Sequence, residues 1–403
     1  MATPQISDPA VAVPSREELV RRARSLAPKL AERVAKTEQD RMLSAETIAD
    51  LRAAGFPRIM QPRRFGGYGL GIDTAIDVST ELAVGCASTA WTMMVYTVHG
   101  PIMAGFPLQA QEEMWAGDGD VLASGAGMGD AAAVHSEGGF RLTGKWPFSS
   151  GIDHAEWHIV GSVLLPPPPD RPIPDYYWFV VPKSEFAIVD DWHTIGLRGT
   201  GSKTAVLENA FVPAHRALDF ALLREASGPG LGLHEEAIFK IPLRAVLASS
   251  LVGISLGVAR AALEWWEAWQ AKRTGPGFRA MKDMTGTQIA LGEAAARLDA
   301  AATIASHTSS EIMREAEAGI VADFERRSLH NLRVAYAARL CVELVDLLFE
   351  NSGGSGLYET KPLQRLWRDV HAAGGHITNR WPLQTEEYGR SRFGLPSSGP
   401  FFF

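Results

Sequence analysis

Gly144-Lys-Trp-Pro-Phe-Ser-Ser-Gly151 reads as a strand that ends in a serine turn, and it lies inside a block, 121–212, whose patterning differs from both flanks. Short runs of β-formers recur through that block: Phe140-Arg-Leu-Thr143, Trp157-His-Ile-Val160, Tyr177-Trp-Phe-Val-Val181 and Ala205-Val-Leu207. Gly, Pro, Asp and Ser separate them, as turns between strands require, and Pro166 to Pro169 form a stiff, exposed loop. The block reads as a β-barrel or sandwich of about ninety residues.

On both sides the period is helical. Upstream, Ser15-x-x-Glu18 is a capping box opening a helix whose Leu19, Ala23, Leu26 and Leu30 share one face. A second helix spans about 44–54 and stops at Gly55, as helix ends commonly do. The glycine-rich turn Phe65-Gly-Gly-Tyr-Gly69 follows, and helical patterning resumes around 76–82. Cys86-Ala-Ser-Thr-Ala-Trp91 then enters an apolar helix carrying His99, which Gly100 and Pro101 are expected to end or bend. Downstream of Gly228-Pro-Gly230 come amphipathic segments at 241–273, 287–318 and 323–350, and a fourth from about Pro362. The expected class is a multi-domain α+β fold, with an N-terminal helical domain (1–118), a central β-barrel domain (119–225) and a C-terminal four-helix bundle with a tail (226–403).

Composition removes several function classes. In 403 residues, 39 Lys+Arg stand against 46 Asp+Glu, a net charge of −7 with no basic patch for nucleic acid. Two cysteines, Cys86 and Cys341, exclude a disulfide scaffold or a Cys-rich zinc site and fit a reducing cytoplasm. His154 and His158 are spaced i, i+4 but fall in strand-like sequence, and there is no HExxH, so no metal is expected. The first residues lack a secretory pattern, and the apolar stretch 247–259 is too short to span a bilayer. A cytoplasmic protein with no membrane partner is the expectation, and eleven Trp suggest an aromatic-lined site or a large interface.

Four motifs in order, Gly66-Gly-Tyr-Gly69, Gly144 to Gly151, Gly196-Leu-Arg-Gly-Thr-Gly-Ser202, and Leu366-Trp-Arg-Asp-Val-His371 followed by His376, resemble the acyl-CoA dehydrogenase fold over nearly the whole chain. Within it they resemble the oxygenase components of two-component flavin-dependent monooxygenases acting on p-hydroxyphenylacetate, phenolic secosteroids and dibenzothiophene. Acyl-CoA dehydrogenases need a carboxylate base, commonly in a Tyr-Glu-Gly sequence after the Arg-Asp pair. Here the stretch 370–378 after Arg368-Asp369 holds no carboxylate, and a histidine stands where the glutamate is expected. A base near neutrality suits proton transfer from a hydroxyl better than from carbon. Acyl-CoA dehydrogenase or oxidase chemistry, an N-hydroxylating monooxygenase and a catalytically idle scaffold stay open as alternatives.

The resemblance implies reduced flavin (FMNH2 or FADH2) with O2 as co-substrate, a C4a-hydroperoxyflavin, a separate NAD(P)H:flavin reductase, a small aromatic substrate and a homotetramer. It puts Ser149, Ser150 and Trp146 at the flavin edge, Ser150 being the first choice, and the loop carrying Arg198, Thr200 and Ser202 against the cofactor. His376, after Gly374-Gly375, is the candidate to accept a phenol proton, with His371 second. Arg365, Trp367, Arg368 and Asp369 lie on a helix that in the fold approaches a neighbouring subunit's flavin, with Arg368 and His371 as cofactor contacts. His99 shares substrate and proton handling with His376 as a catalytic pocket residue or is a core histidine, and Trp91 and Tyr96 line the same pocket or simply pack. Without the family, Arg368–Asp369 reads as a surface or interface charge pair.

Overall fold

A computed structural model describes residues 12–170 and 174–398. The segment 1–11, within the stretch read above as lacking a secretory pattern, lies outside the described residues. Helix α1 (Arg16–Asp40) opens on Ser15, whose hydroxyl accepts from the Glu18 N–H at 3.2 Å. The Glu18 carboxylate turns to Arg21 and Arg22 instead, so only half of the capping box forms. Helices α2 (Ala45–Ala53), α3 (Ile72–Gly85), α4 (Ala87–Ala104) and α5 (Leu108–Met114) complete the N-terminal part. Every residue of α4 except Val95 is buried. That burial carries the helix through Gly100 and Pro101 to Ala104, contrary to the expected break: the continuous apolar surface outweighs the one backbone bond that proline removes.

Eight strands follow among the described residues: β1 (Ala123–Ala126), β2 (Asp130–Ser136), β3 (Gly139–Ser149), β4 (Trp157–Leu165), β5 (Tyr176–Pro182), β6 (Ala187–Val189), β7 (Lys203–Pro213) and β8 (Ala217–Asp219). They form one mixed sheet in the order β6-β7-β3-β2-β4-β5-β8, with β1 lying parallel to β4. Its interior packs Leu142, Trp146, Val160, Phe179 and Leu207 into a separate core. The β1–β4 register sets Ser124 opposite His158 and Gly125 opposite Ile159.

After the short α6 (Phe220–Arg224), the stretch expected as one helix over 241–273 is two, α7 (Leu243–Ser250) and α8 (Val252–Lys272). At the break the Ser250 hydroxyl donates to Leu247 O at 2.9 Å, a side-chain bond that competes with helix continuation. By length and composition Leu243–Lys272 is apolar enough to cross a membrane, yet most of it is buried in the bundle core. Helices α9 (Thr285–Glu317), α10 (Phe324–Glu350), α11 (Leu363–Gly374) and α12 (Trp381–Arg392) finish the chain. The expected fourth helix thus breaks at Gly374-Gly375, and His376 caps a short 3-10 turn, Ile377–Asn379, before α12.

Candidate active site

The two serines of the 144–151 motif face different surroundings. Ser149 is fully buried, with its Oγ 2.9 Å from Trp146 O and 3.2 Å from His158 Nε2. Its hydroxyl is thereby spent inside the β core, and Ser149 is not a free donor at the turn, a correction to the expectation. Ser150 accepts from the Trp91 indole N–H at 3.1 Å and lies 2.6 Å from Ser202 Oγ. The turn is held from several directions. Tyr96 donates to Gly151 O at 2.6 Å, Ser124 donates to Ser150 O at 2.9 Å, and the Gly151 N–H donates to Thr200 O at 2.9 Å. Gly151 has φ +73°, and a Cβ there would meet the Tyr96 ring, so glycine is required.

From Ser150 the hydroxyls continue to Ser202 and on to Thr200 Oγ1 at 2.7 Å, and Thr200 donates to Leu197 O at 2.9 Å. Each hydroxyl can donate once and accept once along this row. With Thr200 donating to Leu197 O, Ser202 donates to Thr200 and Ser150 to Ser202, so freeing the Ser150 hydrogen for a bound group requires the whole row to reverse, with Thr200 giving up Leu197 O. The loop that carries the row is pinned by remote residues. The Gly199 N–H donates to Ser88 Oγ at 3.2 Å, and the Leu197 N–H donates to Asp369 Oδ1 at 2.8 Å. Asp369 is buried rather than a surface charge, and desolvation pushes its carboxyl up to about 6 despite Arg365 nearby.

The His376 imidazole also meets Trp91, edge to face, with ring centroids 5.4 Å apart. Its Nδ1 is 2.9 Å from Thr378 Oγ1 and 3.3 Å from Thr378 N. Burial pushes the imidazole down to about 4, so it is neutral at pH 7. The turn it begins, through Ile377 and Thr378, forms one wall of a pocket that is partly open to solvent. Gly127, Tyr176, Trp178, Phe220, Leu243, Arg244, Leu247, Ala248, Ile377, Thr378 and Gln384 line it. The indole of Trp178 stacks on Phe220 at 5.5 Å, so the lining is largely aromatic and aliphatic. Burial pulls the Arg244 guanidinium down to about 9.

None of Trp91, Tyr96 and His99, expected as pocket residues, lines this cavity. Trp91 touches both Ser150 and His376, and Tyr96 is spent pinning the turn. His99 places Nδ1 2.6 Å from Ala123 O, which makes that nitrogen the protonated one, and burial lowers its pKa to about 4. A Cβ on Gly125 would lie 3.0 Å from His99 Nε2, so that glycine is what admits the ring beside β1. Buried His158 is lowered to about 3 by desolvation and then by His99.

Three expected cofactor contacts are engaged elsewhere. Trp146 is fully buried in the β core and donates to Gly161 O at 2.8 Å. Arg368 pairs with Glu38 at 3.1 Å and also donates to Ile195 O. His371 lies 2.9 Å from Asp346 and packs on Trp367. Arg198, by contrast, has a buried Nε with no partner among the described residues. Beside the serine turn, Phe148 is 69% exposed at φ +62° and meets Trp192 edge-on at 5.9 Å. A planar aromatic cofactor with polar edges and a phosphate needs an open aromatic face, a hydroxyl and an unspent cation. Phe148 with Trp192, Ser150 and Arg198 supply those, so the residues fit a flavin.

Sequence reasoning missed His158 and Ser124 and misread Asp369. Their roles depend on the β1–β4 register and on a loop-to-helix contact, and no local pattern marks either. Glu311, Glu315 and His330 converge with metal-like spacing. Arg326 and Arg333 already pair with those carboxylates, however, which makes the group a charge-balanced cluster.

Comparison with known proteins supplies the remaining evidence. Residues 14–118 match the model of the acyl-CoA dehydrogenase N-terminal domain, and 249–381 match that of the C-terminal domain. The oxygenase component of an FADH2-dependent resorcinol hydroxylase from Rhizobium sp. is 34% identical, over 91% of this chain and 91% of its own. The crystal structure of a 3-HSA hydroxylase from Rhodococcus sp. RHA1 superimposes with a TM-score of 0.90 at 32% identity, covering 96% of this chain and 100% of that one. XiaF from Streptomyces sp., solved with FADH2 and glycerol, gives a TM-score of 0.89 at 27% identity, with coverage of 96% and 97%.

Proposed function

Because this chain belongs to the flavin-dependent monooxygenase oxygenase components built on the acyl-CoA dehydrogenase fold, we propose that it hydroxylates a small phenolic substrate held in the cavity beside His376. The observation that carries this reading is the position of His376, whose ring meets Trp91, the residue that donates to Ser150, and which begins the turn whose Ile377 and Thr378 line an apolar, aromatic pocket. Reduced flavin (FMNH2 or FADH2), when bound, activates O2 and supplies the oxygen atom. Ser150 would hold the flavin edge, Arg198 would meet its charge, and the exposed Phe148 with the half-buried Trp192 would offer its ring an aromatic face.

The rest is done by this chain. A phenol hydroxyl has a reference pKa of about 10, so ionising it at pH 7 costs about 4 kcal/mol. His376 is neutral at that pH and offers a lone pair for the proton. A phenolate forming beside it raises the imidazole's pKa in turn, since opposite charges favour each other's charged forms. The ring thereby becomes the better nucleophile toward electrophilic oxygen. Tyr176, Trp178, Phe220 and Leu247 keep water from the reacting ring. The electrons arrive as reduced flavin from a separate NAD(P)H:flavin reductase, and the working unit is a cytoplasmic homotetramer.

The test is reconstitution with a flavin reductase, NADH and a panel of phenols, with product and O2 consumption measured together. Hydroxylated product in near-stoichiometric yield is expected for at least one phenol. Hydrogen peroxide alone throughout the panel, or bleaching of a tightly held yellow flavin by an acyl-CoA thioester, would overturn the reading.

A further inference from the structure

We propose that Trp178 and Gln384 form a second polar subsite in the pocket, one that takes a neutral alcohol group of the substrate, so that the preferred phenol carries a hydroxyl besides the one on its reacting ring position. This deepens the reading above and rests on it, since the pocket is taken as the seat of the phenol. Trp178, on β5, and Gln384, on α12, both line that pocket. Both are more than nine-tenths buried, at 8% and 3% exposure. Each keeps one polar atom with no hydrogen-bond partner among the described residues: the Trp178 indole N–H and the Gln384 Oε1. The other end of the amide fixes its orientation. Gln384 Nε2 donates to Thr378 O at 3.1 Å and reaches Ile377 O at 3.5 Å; both carbonyls call for the NH2 group, so the unpaired atom is the oxygen.

One ligand chemistry answers both atoms. The indole N–H only donates and the amide oxygen only accepts, whereas an alcohol accepts and donates, so it can serve either or both. A carboxylate accepts only, and it would set its charge against the Gln384 oxygen. An alkyl group serves neither and seals both away from water unpaired, the circumstance in which a site discriminates most strongly against an analogue. Arg244 is the charged residue of the lining, and the Glu387 carboxylate already favours its charge, so the pocket does not call for an anion. Phe220, Leu247 and Ile377 are left to take the body of the ring.

The experiment titrates the full chain calorimetrically, with reduced flavin under nitrogen, against phenols of nearly equal size: 3-ethylphenol, 3-(hydroxymethyl)phenol, 3-hydroxybenzoate and their 4-substituted isomers. Trp178→Phe removes the N–H while keeping a ring to stack on Phe220. Gln384→Met removes the acceptor together with the bonds to the turn, so thermal melts accompany both variants, and Trp178→Phe decides alone where Gln384→Met melts low. In one of the two series the parent is expected to bind the hydroxymethyl compound about tenfold tighter than the ethyl one, and Trp178→Phe to cut that ratio about fivefold. Equal binding of the ethyl and hydroxymethyl compounds in both series, tightest binding of the carboxylate, or an unchanged ratio in Trp178→Phe would overturn the subsite. Product formed from the same compounds under air separates this from the reading it rests on. Hydroxylated ethylphenol with no hydroxymethyl preference removes the subsite and leaves the reaction standing. A hydroxymethyl preference that Trp178→Phe abolishes, with no product from any phenol, keeps the subsite and removes the reaction.

Discussion

The indole of Trp91 touches two groups from distant parts of the chain: its N–H donates to Ser150 Oγ at 3.1 Å, and its ring meets the His376 imidazole at 5.4 Å between centroids. The serine turn and the C-terminal turn therefore share one aromatic wall.

Replacing each serine of the turn separates chemistry from packing. Ser150→Ala removes the acceptor of Trp91 and breaks the hydroxyl row to Ser202. Product formed per NADH is expected to fall about tenfold, equivalent to about 1.4 kcal/mol. Ser149→Ala strips a partner from buried His158 and is expected to cost about 1 kcal/mol of stability with coupling unchanged. Equal coupling losses in the two variants would remove the distinction drawn between them.

The acid limb of kcat/KM reports ionisation in the free enzyme. With His376 pushed down to about 4, the ring stays neutral and proton-accepting well below pH 6. The expected profile is flat on its acid side to near pH 5. A midpoint near 6.5 would mean an imidazole in an ordinary, solvated setting.

Stability should fall with acidification for a related reason. His99 and His158 are lowered to about 4 and about 3 in the folded state, so below pH 6.5 the unfolded chain takes up protons that the native one refuses. Each imidazole then costs the fold up to about 1.4 kcal/mol per pH unit until its folded pKa is passed. Asp369, raised to about 6, works the other way: as pH falls from about 6 towards 3.8 the native state gains a proton first. With His376 lowered to about 4 as well, three imidazoles outweigh one carboxylate, and a net loss of about 3–4 kcal/mol between pH 6.5 and 5 is expected, read as a drop of several degrees in Tm. A Tm constant over that interval would contradict the buried, neutral state of these rings.

Asp369 also anchors the glycine loop, because Leu197, held at φ +50°, has its N–H satisfied by that carboxylate. Asp369→Ala orphans a buried donor and is expected to cost about 1–3 kcal/mol together with reduced-flavin affinity. Asp369→Asn keeps an acceptor oxygen and sheds a buried charge, so it should be close to neutral at pH 7. Thermal melts and flavin titration of the two variants decide this, and an Asn variant as damaged as Ala would refute it.

The order of helical, β and helical parts was legible because periodicity is local. Ser15 and Ser44 cap the helices they announce, and Gly374-Gly375 does turn the chain before His376. The break at Leu251 and the run of α4 through Pro101 were not legible, since a side-chain bond and complete burial decide them. In the site, Ser150 and His376 carried enough motif signal to be named. The cavity did not, because β5, α7 and the 377–379 turn build it together and none of them is distinctive alone. For Trp146, Arg368 and His371 residue type was right for a cofactor contact, but inside the fold Gly161 O, Glu38 and Asp346 had prior claim on them.

The most direct test of oxygen transfer to a ring is a single turnover under 18O2, with reduced flavin supplied enzymatically and a phenol bound, followed by mass spectrometry of the product. The account requires a hydroxylated ring carrying one 18O atom, and a much lower yield from His376→Asn. Unlabelled phenol recovered intact, with all the label in hydrogen peroxide, would contradict it.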